Sequence, residues 1–173
     1  LSAVPYIPAV ENVAQHAANL LRSQVDGIML GWTLGGYPSP NLEVVAELAG
    51  ERASAQQKIG ATGNSSGTTP HEAMLQVAQR RFGKVLAPAV VQVWREFSAA
   101  FSEFPFHAGL VYSAPLQLGP ANLFWAEATG YRASMVGFPY DDLDAWRAVY
   151  PVEGFLAQFK KVARGFDQAT AKL

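Results

Sequence analysis

The chain has 173 residues, half of them apolar and 16% charged, a charged share below the ~25% usual in soluble domains, which excludes disorder over most of its length. Thirteen Lys or Arg against fourteen Asp or Glu give a formal charge of −1, which excludes the electrostatic footprint of a nucleic-acid binder and any polybasic membrane patch. No cysteine is present for a disulfide scaffold or a thiolate metal site, and no apolar run approaches the ~18 residues of a membrane span. The chain starts at Leu1, and residues 1–8 have neither the basic start nor the apolar centre of a signal peptide, so a further N-terminal part of the same chain is expected upstream.

Pro5 and Pro8 delay the first helix, which the stripe Val10, Val13, Ala14, Ala17, Leu20, Leu21 predicts over residues 9–23. Residues 25–34 form an apolar run without polar alternation, which reads as a strand buried on both faces of a parallel sheet. Ser39 and Pro40 supply an N-cap and a first-turn proline, and Leu42, Val44, Val45 and Leu48 carry a helix to an expected stop at Gly50. An extended start, a helix, a buried strand and a helix make the rhythm of a parallel α/β protein. No other segment is a comparable strand, so the neighbours that such a strand needs are expected upstream.

Residues 61–68 are polar and glycine-rich, a loop without the Walker or GxGxxG pattern. Thr69-Pro70-His71-Glu72 is a capping box that opens a helix running to about Phe82. Gly83 ends that helix, and Pro88 opens another with Val90, Val91, Trp94, Phe97 and Phe101 as its apolar stripe. From 104 to 140, four prolines and four glycines forbid long regular elements, while eight aromatic side chains argue for an ordered, functional stretch. Asp141, Asp142 and Asp144 begin a turn around Trp146, and a last helix over 152–171 aligns Phe155, Phe159, Val162 and Phe166.

Ligands of parallel α/β proteins sit at the C-terminal ends of strands, which directs attention to residues 30–40. There Trp32 and Tyr37 flank Gly35 and Gly36, so two ring faces suited to a sugar adjoin backbone that a ligand can approach closely. Core packing and turn formation are the competing readings. Tyr6 lies on the same expected rim, or packs. Glycoside hydrolysis needs two carboxylates about 5–10 Å apart, and no pair is evident, so the catalytic residues stay unassigned. Glu43, Glu47 and Glu51 follow a solvated helix face and Glu72 a cap. Asp141 and Asp142 either cap a turn or bind substrate. Glu127, after Phe124-Trp125-Ala126, is suited to acid catalysis if buried, or pairs with Arg132. His16, His71 and His107 lack partners at metal-ligand spacing, no cofactor motif is present, and Ser39, Ser65 and Ser113 lack the GxSxG elbow. No Lys or Arg lies between Arg22 and Arg52, which disfavours a phosphate site there.

The run Val25-Asp26-Gly27-Ile28-Met29-Leu30-Gly31-Trp32-Thr33, with its tryptophan at the end of the expected strand, resembles the closing unit of a (β/α)8 glycoside hydrolase, most like the hexosaminidase-like group. The resemblance covers residues 1–50, and residues 105–151 are broadly similar to the helical extensions that follow such barrels. It implies that Trp32 lines a sugar subsite and that the catalytic carboxylates come from middle strands absent here, so the chain is inactive alone. The expected fold is therefore an α/β fragment, mainly helical. It comprises the last βα units of a TIM barrel at 1–50, a loop or linker at 51–69, and a helical C-terminal extension at 70–173 with a long aromatic loop at 104–140. The expected function is the C-terminal segment of a carbohydrate-active enzyme. Its partners are a carbohydrate substrate and the missing N-terminal part of the same chain, with no nucleic acid and no membrane. The alternatives are a self-contained, mainly helical binding or interaction module, or a structural cover for the barrel.

Overall fold

The apolar stripe of residues 10–21 forms α1 (Val10–Arg22), which buries Val10, Ala14, Ala17 and Ala18. Glu11 in its first turn and Arg22 in its last complement the helix dipole. The helix ends through Gln24, whose φ of 58° is left-handed; its amide donates to the Leu21 carbonyl at 3.1 Å, while that of Ser23 donates to Asn19 at 3.0 Å. These elements belong to a computed structural model that describes residues 7–25, 27–29, 39–58, 68–107, 144 and 147–172, with backbone only for 51–58.

Four helices and no strand occur among the described residues, so the expected α/β class, with closing units of a TIM barrel, is not what they form. Residues 27–29, inside the expected buried strand, are irregular, and Met29 is 97% exposed. An apolar run specifies a strand only where neighbouring strands take up its hydrogen bonds. No strand among the described residues is there to do so.

α2 (Pro40–Lys58) starts as its sequence signals, with Pro40 in the first turn and the carbonyl of buried Ser39 accepting from the amides of Leu42 and Glu43. It does not stop at Gly50. Gly50 is not among the glycines with positive φ, and the alanines, glutamines and charged residues after it are good helix formers that carry the helix another two turns. α3 (Pro70–Phe101) opens on the expected capping box: Thr69 Oγ1 accepts from the Glu72 amide at 3.2 Å, and the Thr69 amide donates to Glu72 Oε2 at 2.7 Å.

Gly83, at φ 81° and ψ 164°, breaks α3 where the sequence places the break. A side chain there is strained, and glycine is the residue that takes this backbone freely. The result is a corner. In a straight helix His71 and Arg95 would lie roughly 36 Å apart and Phe82 and Trp94 roughly 18 Å. Instead Arg95 Nη2 reaches His71 Nδ1 at 3.3 Å, and the rings of Phe82 and Trp94 meet edge-on with centroids 6.3 Å apart. The arm after Gly83 is already helical before Pro88, which lies inside it.

α4 (Val152–Thr170) is the last helix. The chain divides into two compact units, the first made of Leu1–Ile7, Leu30–Tyr37 and Glu103–Ala163, the second of Pro8–Met29, Pro38–Ser102 and Arg164–Leu173. In the second unit α1, α2 and α3 pack on one another around Val10, Val44, Met74 and Val77. Arg80 and Arg81 of α3 pair with Glu47 and Glu43 of α2, the first pair at 2.6 Å. Ser98 joins α3 to α1: its hydroxyl accepts from the Glu11 amide and its carbonyl from Asn12 Nδ2, both at 3.0 Å. Residues 164–172 add Phe166, edge-on to Phe97 at 5.5 Å, and Lys172, paired with Glu96 at 2.8 Å.

The described core of the first unit centres on Phe155, 1% exposed, with Phe104, Ala148, Tyr150 and Phe159 packed around it. The rings of Phe155 and Phe159 lie 4.7 Å apart, and those of Phe104 and Phe159 meet edge-on at 5.5 Å.

Candidate functional site

Tyr6, Trp32, Gly35, Gly36, Tyr37, Glu127, Asp141 and Asp142, the residues the sequence offers for ligand binding, all lie outside the described residues. All eight numbers fall within the three ranges of the first unit. The described part of that unit shows how the start of the aromatic stretch is attached to the segment that follows it. Phe106 lies near its start and Tyr150 follows it, and the Tyr150 hydroxyl donates to the Phe106 carbonyl at 2.6 Å across 44 positions of sequence.

Further pins surround this one. Gln158 Nε2 donates to both the carbonyl and Oε2 of Glu103 at 3.0 Å, and Lys161 pairs with the same carboxylate at 3.2 Å. Arg147 Nε donates to Asp144 Oδ1 at 2.7 Å, and its Nη1 donates to the Tyr150 carbonyl. Ala148 sits at φ 55°, a conformation a non-glycine residue adopts at a cost of about 1 kcal/mol or more, which its packing against Phe155 offsets. Sequence reasoning missed all of these anchors. The Asp144–Arg147 pair and the Phe155–Phe159 spacing are local, whereas the partners 44 to 58 positions apart leave no periodic trace.

Glu72, Glu96 and Glu103 each hold a structural contact. The backbone amide of Thr69, and then its hydroxyl, hold Glu72 below the ordinary glutamate range. Glu96 is lowered by hydrogen bonds from Lys172 and then Gln92, and Glu103 by those from Gln158 and then Lys161. Glu43 and Glu47, expected on a solvated face, instead pair with Arg81 and Arg80, and Glu11 pairs with Arg95 at 3.2 Å. A general acid for glycoside cleavage needs its pKa raised, the opposite of each shift seen here. Among the described residues no group of three His, Asp or Glu side chains could hold a metal ion, and no helix is long and apolar enough to cross a membrane. No protein-family model, curated protein or solved structure matches the chain.

Proposed function

We propose that the chain is the sugar-binding segment of a carbohydrate-active enzyme, a glycoside hydrolase, whose catalytic carboxylates lie upstream of Leu1. In this reading Trp32 and Tyr37 offer ring faces to a carbohydrate, Gly35 and Gly36 let it approach the backbone, and Tyr6, Glu127, Asp141 and Asp142 supply polar contacts. The observation that carries the reading is the anchoring of the start of the aromatic stretch to the segment that follows it. Phe106 and Tyr150 are joined directly, and an aromatic cluster around Phe155 backs the junction. Burying one ring and pinning Glu103 twice offsets much of the entropic cost of closing a loop of this length. A long connection tied at both ends and rich in aromatics is the kind that carries function in compact domains.

The test is titration of the full chain with a panel of mono- and oligosaccharides, N-acetylhexosamines included, followed by NMR. The expected result is saturable binding by at least one sugar, with Trp32→Ala weakening it about tenfold, a loss of about 1.4 kcal/mol, while helicity and melting are unchanged. Tyr37→Phe then separates a hydroxyl contact from a ring contact. No response to any sugar, or undiminished binding by Trp32→Ala, would overturn the reading in favour of a helical interaction module.

A further inference from the structure

We draw no further inference here: the strongest candidate, the exposed apolar patch of Phe82, Val85 and Leu86 at the corner of α3, carries nothing because no feature of the structure shows what covers it.

Discussion

The two units solve the problem of burial in different ways. In the second, burial is spread over many small side chains: Ala14, Ala17, Ala73, Ala78 and Ala87 accompany Val10, Val44 and Val77, and short residues let helices approach closely. In the described part of the first, the largest buried side chain is a single ring, Phe155, with Pro105 and Val162 also buried, and polar contacts join distant residues. Distributed burial tolerates the loss of any one member, whereas concentrated burial does not. The helix ends of the second unit are also marked locally, by a capping box and a left-handed glycine, and the long-range anchors of the first are not.

The largest expected effect follows from that contrast. Phe155→Ala removes a fully buried ring and its contacts with Phe104, Tyr150 and Phe159, and is expected to cost about 3–5 kcal/mol. Val77→Ala, at an equally buried site in the second unit, removes two carbons and is expected to cost about 2 kcal/mol. Urea denaturation of both variants checks the ranking, and equal losses would break the distinction between concentrated and distributed burial.

Close approach of small residues can be tested at Gly165. A Cβ there would lie 2.5 Å from Ala100 Cβ and 3.2 Å from Ala100 Cα, so Gly165→Ala forces α3 and α4 apart locally. Overpacking of this kind costs about 1–3 kcal/mol, against a helix-propensity gain of about 1 kcal/mol. Gly165→Ala is therefore expected to lower stability, and adding Ala100→Gly to recover part of the loss. A single variant as stable as the parent would show that the contact yields without cost.

Two glycines sharpen the point about local signals. Gly83 has φ 81° and exposed surroundings, so Gly83→Ala meets no steric obstacle but strains the backbone by about 1–3 kcal/mol. Gly50 lies inside α2 with open space around it, and Gly50→Ala is expected to stabilise by about 0.5–1 kcal/mol. Opposite signs in thermal melting are the expected outcome. A stabilising Gly83→Ala would mean that the corner does not need the left-handed residue.

These same glycines show what could be read in the sequence. The break at Gly83 was legible because a glycine followed by Pro88 interrupts an otherwise continuous apolar stripe. The expected stop at Gly50 failed because glycine only permits a helix to end, and Ala53 and Ala55 beyond it favour continuation. The expected strand at 25–34 failed in its described part for a related reason. Val25, Ile28 and Met29 are apolar, but apolar character without a neighbouring strand specifies burial or nothing, and Met29 is exposed. Of the candidate site, composition revealed the aromatic stretch. Its attachment through Tyr150, Phe106, Gln158 and Glu103 depends on residues far apart in sequence, which a pattern confined to neighbours does not register.

A further small effect tests the best local signal. Thr69→Ala removes the hydroxyl that accepts from the Glu72 amide but keeps the backbone amide that donates to the Glu72 carboxylate, so a loss of about 1 kcal/mol is expected. The carboxylate also makes the cap pH-dependent. Because its pKa is lowered on folding, first by the Thr69 amide and then by its hydroxyl, its contribution is present above the unfolded value of 4.5 and lost as pH falls through the lower, folded one. Glu72→Gln removes that titration and leaves the Thr69 hydroxyl in place to accept from the backbone amide of residue 72. Melting temperature followed from neutral pH downward should therefore fall less steeply below pH 4.5 for Glu72→Gln than for the parent, with Thr69→Ala between them. Parallel curves for all three would show that the capping carboxylate adds no acid-sensitive stability to α3, and that the signal most easily read in the sequence marks where the helix begins without strengthening it.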